Sequence, residues 1–161
     1  MKSHSLPALL AIALFVCCGT ARQTPQQKAE EEKTSQAVRQ KLDERSYRID
    51  VTYMMPMRGP SQAVSAYSIT VDGSTIDSHL PYFGEAHNIP YGGGKGLTFK
   101  EEMESYKDNG WKKDCRNIVI QVKNEEDSYV FTLDVFDNGE VSVQVHCQNR
   151  DDIGYRGVLN F

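Results

Sequence analysis

Three side chains suited to acid–base or metal chemistry lie close together near the middle of the chain. His79, Glu85 and His87 supply two imidazoles and one carboxylate, the groups that hydrolases use for proton transfer and that proteins use to bind zinc. They have neither the fixed spacing of a metal-binding helix nor a cysteine beside them. The sequence therefore predicts no metal ligands and no catalytic residues. A hydrolase that uses this His/Glu pair remains an alternative function.

A glycine-rich stretch follows these residues and has the composition of a phosphate-binding loop. It occupies residues 92–96 with the sequence GGGKG. A phosphate-binding loop needs a longer spacing, a Ser or Thr after the lysine and a strand-to-helix context. The serines of the chain also lack the Gly-x-Ser-x-Gly pattern of a nucleophile elbow. We interpret the stretch as a turn, and the sequence predicts no cofactor.

Aromatic side chains in irregular segments are candidates for ligand binding, because strand patterning does not require them there. An exposed ring can stack on a sugar or anchor a partner, whereas a buried ring can close one end of a barrel. An arginine and a tyrosine near the last turn allow the same two interpretations, a ligand contact or a structural link. The candidate ligand-binding residues are Tyr82, Phe83, Tyr91, Trp111, Arg150 and Tyr155.

Residues 1–21 have the features of a cleavable signal peptide. Lys2 gives a positive start, and residues 6–16 form an apolar run of about 11 residues, shorter than the roughly 18 needed to cross a bilayer. Gly19 and Ala21 are the small residues preferred before cleavage, which we expect after Ala21. Lipidation of Cys18 is the alternative, although no small residue precedes it. We therefore expect an exported protein, either periplasmic or secreted, or a membrane-tethered lipoprotein.

Removal of this leader leaves a chain of one domain with a modest charge. The full sequence of 161 residues has 18 basic and 22 acidic side chains. Because Lys2 is the only charged residue of the leader, 17 basic side chains remain and the net charge becomes −5. Binding to nucleic acid or to anionic lipid requires a clustered basic face. Neither is predicted as a partner, and membrane contact is expected only through a lipid anchor.

Residues 22–45 are predicted to form an N-terminal helix that acts as a spacer or a lid. Thr24 is a suitable N-cap, Pro25 occupies the first helical position, and Gln27 completes a capping box. The apolar stripe of this helix is thin, so we expect it to pack by one edge. The stripe consists essentially of Ala37, Val38 and Leu42, with Ala29 as a further candidate.

From residue 46 to residue 161 the pattern is that of half-buried strands, in which apolar and polar residues alternate. Turn signals at 72–73, 124–127 and 137–139 separate the runs, and residues 115–147 have the pattern of a β-meander. A short strand is expected near residues 97–106. The first run is predicted to place Tyr47, Ile49, Val51, Tyr53 and Met55 on one face, and the last run Ile153, Tyr155, Gly157, Leu159 and Phe161. About seven or eight strands favour an antiparallel β-barrel or a tight sandwich, and we expect the barrel, since closure removes exposed edges.

Two cysteines remain after cleavage at Ala21, and export favours a disulfide between them. Cys115 begins the first strand of the meander and Cys147 ends the third, so they lie at opposite ends and two strand spacings of about 4.8 Å apart. A disulfide needs Cα atoms within about 7 Å of each other. Both thiols are therefore predicted to be free.

Three segments of the chain resemble a known family. They are LPYFGEA at 80–86, GLTF at 96–99 and NRDDIGYRG at 149–157. Together they resemble the domain-of-unknown-function family 4251, small exported proteins of Bacteroidetes, over about residues 30–161. The resemblance implies a signal or lipoprotein leader, an N-terminal helix and a lipocalin-like β-barrel, but no activity, ligand or catalytic residue. The poor lipidation motif around Cys18 departs from the family pattern.

The function expected from the sequence is that of an exported cell-envelope binding protein without enzymatic activity. Segment 80–99 is irregular, aromatic and glycine-rich and interrupts a regular β scaffold, and long irregular segments of this kind often carry binding sites. The expected partner is a small apolar ligand, a glycan or an envelope protein. A hydrolase and a purely structural envelope component are the alternatives.

Overall fold

The structure is a computed structural model that describes residues 24–87 and 96–161. In this part of the chain one helix precedes eight strands. The helix α1 spans Pro25–Asp43. The strands are β1 (Ser46–Pro56), β2 (Gln62–Asp72), β3 (Thr75–Leu80), β4 (Leu97–Lys112), β5 (Cys115–Lys123), β6 (Ser128–Phe136), β7 (Glu140–Cys147) and β8 (Ile153–Asn160).

Helix α1 begins at the capping box predicted from its sequence. The backbone N–H of Gln27 donates to the Thr24 hydroxyl, and the Gln27 side chain accepts from the backbone N–H of Thr24 at 2.9 Å. The helix ends at Asp43, short of the predicted end at residue 45, because Arg45 adopts a positive φ of 49° and turns the chain into β1. Within the described ranges no helix combines the length and apolar character needed to cross a bilayer.

The strands form a closed antiparallel barrel, which confirms the fold predicted from the sequence. Each strand pairs with its neighbour in the chain, and β8 closes the barrel against β1. Gly73 and Gly139 have positive φ angles of 58° and 87° in two of the predicted turns, where glycine avoids the strain that a side chain would impose. The barrel is a rigid frame for the irregular segments at its ends.

Apolar side chains of the protein itself fill the interior of the barrel. The alternate apolar residues of β5, β6 and β7 are buried and belong to one continuous core, from Ile118, Ile120 and Val122 in β5 to Val141, Val143, Val145 and Cys147 in β7. Four rings contribute much of its volume, namely Tyr47, Tyr129, Phe131 and Tyr155, and none is more than 4% exposed. An eight-stranded barrel is just wide enough to be filled in this way.

A β-bulge makes part of the predicted face of β1 wrong. The pairing register shifts between Val51 and Tyr53, and a one-residue shift moves every later side chain to the opposite face. Tyr53 is consequently 45% exposed and Met54 is buried. The sequence pattern had placed Tyr53 and Met55 inside.

Two other strand predictions need correction. Strand β4 continues to Lys112, beyond the predicted end at residue 106. It can be this long because it uses two neighbours, β3 along residues 97–102 and β5 from Met103 onward. Phe161 follows the last residue of β8 and is 58% exposed, so it does not extend the inward face of that strand.

The two ends of the barrel differ in what covers them. At the helix end, α1 inserts Val38 and Leu42 into the core, where both are buried. Arg116 fixes the helix there through an ion pair with Asp43 of α1 at 2.6 Å. Arg116 also pairs with Asp108 of β4, and its hydrogen bonds hold the pKa of Asp108 below the usual value. At the opposite end, called the loop end, lie residues 57–61, 81–87, 124–127 and 148–152.

Cys115 and Cys147 are both free thiols. Cys115 pairs with Phe136 near the helix end, whereas Cys147 pairs with Tyr129 near the loop end. Burial raises the pKa of Cys147 to about 12. Its thiol therefore stays protonated at neutral pH and behaves as a small apolar core residue.

Replacement of Leu42 by alanine is expected to lower the free energy of unfolding by about 2–5 kcal/mol, because it leaves a cavity where the helix enters the core. Urea denaturation followed by circular dichroism measures the change. The control is Lys33→Ala at an exposed position of the same helix, which should change the stability by less than about 0.5 kcal/mol. Equal effects of the two variants would contradict the packing of α1 described above.

Candidate functional site

The loop end contains the irregular segments that can form a binding surface. Residues 81–87, called the strap, follow β3 and reach residues 148–152, called the connector, between β7 and β8. The two segments meet in an antiparallel bridge between Ala86 and Arg150. Both segments contain sequence on which the family resemblance depends, so residues far apart in the chain form one structure.

Hydrogen bonds fix the strap to the connector. The N–H of His87 donates to the carbonyl of Asn149 at 2.8 Å, and the N–H of Asp151 donates to the carbonyl of Glu85 at 2.9 Å. The Asp151 carboxylate accepts from the N–H of Glu85 at 3.2 Å and lies 3.4 Å from Nε2 of His87. The strap is therefore held by a short ladder although it is not a strand of the barrel.

Two tyrosine hydroxyls also hold the strap. Tyr155 is completely buried and donates to the carbonyl of Pro81 at 2.6 Å. The Tyr82 hydroxyl lies 3.1 Å from the carbonyl oxygen of Glu85 and 3.2 Å from that of Asp151. Burial raises the pKa of Tyr82 to about 12 and also raises that of Tyr155. Both hydroxyls thus remain protonated donors at neutral pH.

A buried ion pair anchors the connector. Arg150 and Asp127 are both buried, and Nε of Arg150 donates to Oδ2 of Asp127 at 3.2 Å. A carboxylate oxygen of Glu126 lies 3.6 Å from the same guanidinium. The rings of Tyr82 and Tyr129 lie 5.4 and 5.9 Å from the guanidinium carbon, within the range of a cation–π contact. Arg150 thereby connects the β5–β6 turn, the strap and the core.

The Asp127 carboxylate has several hydrogen-bond donors besides Arg150. It accepts from the backbone N–H groups of Ser128 at 2.8 Å, Gln148 at 3.1 Å and Asn149 at 3.0 Å. A buried carboxylate is costly unless it is both paired and hydrogen-bonded. Asp127 meets both conditions, because the β5–β6 turn and the connector converge on it.

Gly84 is required by the close packing of the strap. A Cβ atom at this position would lie 2.6 Å from the hydroxyl oxygen of Tyr82 and 3.2 Å from Cβ of Asp151. The first separation is too short for any side chain, so a larger residue would displace the Tyr82 hydroxyl from the two carbonyl oxygens that it contacts. The tight path of the chain here also leaves the neighbouring Phe83 on the outside.

The outer side of the strap presents an apolar and charged surface. Phe83 is 55% exposed and Met57, in the β1–β2 connection, is 61% exposed. Phe83 lies against Gly59, where a Cβ atom would be 3.6 Å from its ring. Arg58 and Glu85 join the two segments by an ion pair at 2.9 Å. We call the group Met57, Arg58, Phe83 and Glu85 the strap surface.

The structure brings four of the six candidate ligand-binding residues to the loop end. Phe83 is exposed, whereas Arg150 and Tyr155 lie beneath the strap and the Tyr82 side chain points inward from it, so that these three side chains support the strap. Trp111 is at the helix end, with the Arg39 guanidinium carbon 4.1 Å from its ring centroid. Tyr91 lies outside the described residues. The six candidates therefore do not form one cluster, because β4 carries Trp111 to the other end of the barrel.

The His/Glu group is divided between separate contacts. His79 lies on β3 with its ring 5.3 Å from that of Tyr67, His87 faces Asp151, and Glu85 pairs with Arg58. In residues 24–87 and 96–161 no hydrogen bond joins either histidine to Glu85. The same residues contain no group of three His, Cys, Asp or Glu side chains that could hold a metal ion.

Sequence reasoning missed the importance of Asp127. It follows Asn124, Glu125 and Glu126, and acidic residues in a hairpin turn are normally solvated. The sequence feature that could have indicated this role is the position of Asp127 directly before β6. A carboxylate there can accept a hydrogen bond from the backbone N–H at the start of the strand. Its long-range partners in the connector could not be identified from local sequence.

The fold and the loop end define a class of protein, a helix-capped, closed antiparallel β-barrel of eight strands whose loop end carries an anchored strap. Residues 28–159 match the family described as "Domain of unknown function (DUF4251)", and the chain belongs to this family, as its sequence motifs predicted. A crystal structure of a DUF4251 family protein from Bacteroides eggerthii is similar, with a TM-score of 0.63 and 16% sequence identity over 83% of this chain and 91% of that chain. No curated protein matches the chain.

Replacement of Asp127 by alanine is expected to lower the free energy of unfolding by about 3–5 kcal/mol, since the buried Arg150 guanidinium then keeps only the more distant Glu126 carboxylate. The control is Asp77→Ala, which removes an exposed carboxylate of β3 and should cost less than about 0.5 kcal/mol. In an Arg150→Met background, Asp127→Ala should cost markedly less, as a double-mutant cycle would show. The same cost in both backgrounds would contradict the coupling of the two side chains.

Proposed function

We propose that this protein is an exported, non-enzymatic binding protein of the cell envelope that recognises a partner protein through the strap surface. The observation that carries this proposal is an exposed aromatic side chain, Phe83, on the strap, which hydrogen bonds fix to a connector anchored by a buried ion pair. Binding residues commonly lie on loops that a rigid scaffold positions. An anchored aromatic side chain also loses little conformational entropy when it binds.

The packed interior favours recognition on the outside of the barrel. A lipocalin-like barrel that holds a ligand in its lumen needs space between the inward side chains. Here Tyr129, Phe131 and Tyr155 are fully or almost fully buried within the core. This packing supports an outer-surface partner over a small apolar ligand inside the barrel.

The polar groups beneath the strap support a non-enzymatic role. The Asp127 carboxylate accepts hydrogen bonds from three backbone N–H groups and from Arg150. The hydroxyls of Tyr82 and Tyr155 contact backbone carbonyls. Groups engaged in this way serve as structural links, whereas a catalytic acid or base must reach a substrate.

The composition of the strap surface suits a protein partner. Exposed apolar side chains beside charged ones are typical of recognition sites, where aromatic residues, Met and Arg are enriched. Phe83 and Met57 provide the apolar part and the Arg58–Glu85 ion pair the charged part. We expect the apolar side chains to provide most of the affinity.

Photocross-linking in the native cell envelope tests the strap surface. Benzoylphenylalanine replaces Phe83 in one variant and Phe136 in the control, because Phe136 is an exposed phenylalanine at the helix end. We expect a discrete cross-linked product from position 83 that is absent at position 136. The product should fall at least fivefold when Met57→Ser is added to the position 83 variant. Equal cross-linking at the two positions, or none at position 83, would refute recognition by this surface.

The intact mass of the protein purified from the cell envelope tests export. Cleavage after Ala21 gives a chain that begins at Arg22, whereas lipidation gives a chain that begins at a diacylglycerol-modified Cys18. We expect the former, and the Cys18→Ser variant should then give the same mature mass. A mass that still includes residues 1–21 would argue against export.

A further inference from the structure

The described residues carry six sulfur atoms, and these atoms differ in their access to solvent. They belong to four methionines and two cysteines, namely Met54, Met55, Met57, Met103, Cys115 and Cys147. Met57 is 61% exposed, whereas Met54 is 6% exposed and belongs to the core. Met55 and Met103 are half-buried. Met57 therefore has the most accessible thioether in the part of the chain that the structure describes.

The path of β1 explains why methionines so close in sequence differ in exposure. The bulge in this strand turns Met54 into the barrel. Met55 covers Gly154 of the neighbouring strand, where a Cβ atom would lie 3.3 Å from the Met55 methyl carbon. Met57 follows the last residue of β1 and lies in the β1–β2 connection. The sulfur of Met57 is therefore open to molecules in solution, whereas neighbouring side chains shield that of Met54.

The two thiols compete poorly with Met57 for an oxidant at neutral pH. Burial raises the pKa of the half-buried Cys115 thiol, and it raises the pKa of Cys147 to about 12. A thiol is oxidised through its thiolate, so both groups react slowly while they remain protonated. A thioether has no proton to lose, and its oxidation depends on the access of the oxidant to the sulfur atom. Met57 is accordingly the first of these groups that a peroxide in solution oxidises.

Met57 belongs to the strap surface but not to the core that stabilises the barrel. The next residue, Arg58, pairs with Glu85 of the strap at 2.9 Å, and Gly59 lies against the Phe83 ring. These two contacts hold the β1–β2 connection beside the strap. A chemical change at Met57 therefore alters the strap surface and leaves the packing of the core intact.

We propose that Met57 is a site of reversible sulfoxidation that lowers the affinity of the strap surface for its partner. This inference rests on the proposed function of that surface. The sulfur lone pair attacks one oxygen of hydrogen peroxide, and the O–O bond breaks. The second oxygen leaves as water with the proton of the transferred one, so that sulfur loses two electrons and peroxide gains them. A methionine sulfoxide reductase reverses the change with a dithiol, which yields the thioether, a disulfide and water.

The polarity of the sulfoxide explains the expected loss of affinity. Oxidation replaces a flexible apolar side chain with a polar one. A polar group that is buried in an interface without a hydrogen-bond partner opposes binding. Because Met57 lies next to Arg58 and close to the strap, the change occurs within the apolar and charged surface that recognises the partner.

Peptide mass spectrometry of the folded protein after brief peroxide treatment tests the selectivity. We expect the sulfoxide at Met57 to form at least tenfold faster than at Met54, which is the internal control because it is buried. Circular dichroism should show the same urea midpoint before and after the treatment. Oxidation of Met54 or of either thiol as fast as Met57, or a lowered midpoint, would overturn the proposal.

Photocross-linking from position 83 tests the effect on recognition. Purified protein with benzoylphenylalanine at Phe83 is treated with peroxide, freed of it by gel filtration, and added to an envelope extract from cells that lack this protein. The partner thus never meets the oxidant. We expect the cross-linked product to fall at least fivefold after the treatment. Incubation of the oxidised protein with methionine sulfoxide reductases of both stereospecificities should restore it.

Two variants assign the effect to one sulfur atom. With Met57→Leu, which cannot be oxidised at this position, peroxide should no longer change the yield of the product. With Met55→Leu, the matched control in the same segment, the fivefold fall should persist. No product from the untreated protein would refute the proposed function and this inference with it. A product that peroxide does not lower, or that it lowers equally in the Met57→Leu variant, would overturn the inference alone.

Discussion

Burial of the Arg150–Asp127 ion pair is the constraint on which the arrangement of the loop end depends. Two charges removed from water must recover their solvation within the protein. They do so through backbone N–H groups of the connector and of the start of β6, and through the rings of Tyr82 and Tyr129. The strap, the connector and the β5–β6 turn therefore adopt their positions together. Phe83 is held outward because the residues around it are bound inward.

Each end of the barrel has a buried arginine that is paired with acidic side chains. The turns at a barrel end leave polar groups close to the core, and an arginine with five donors can satisfy several at once. Arg116 at the helix end and Arg150 at the loop end are both buried, each has two acidic partners, and each lies beside an aromatic ring. One arginine fixes a helix and the other fixes a connector. A buried arginine ion pair therefore holds α1 over the helix end, and a second one supports the strap surface at the loop end.

The barrel could be predicted because its determinants are local. Alternation and turn residues define the β-meander, and the capping box defines the start of α1. The bulge near Tyr53 was not predictable, since it depends on how β1 pairs with β2. At the candidate site, aromatic composition pointed to Tyr82 and Phe83, but only the tertiary contacts distinguish the supporting ring from the exposed one. The role of Asp127 depends on partners about 20 residues away, in the connector, which no local pattern encodes.

The packing of Phe161 and Val38 has a practical consequence. Both lie against Gly139, so Phe161 and helix α1 meet at the same turn of the barrel. A solid support, a fluorescent reporter or a carrier attached at Phe161 or in the first turn of α1 would occupy the helix end. The strap would then face solution in every such fusion. Loop-end sequences could accordingly be diversified on this barrel, with Phe161 or α1 as the point of immobilisation.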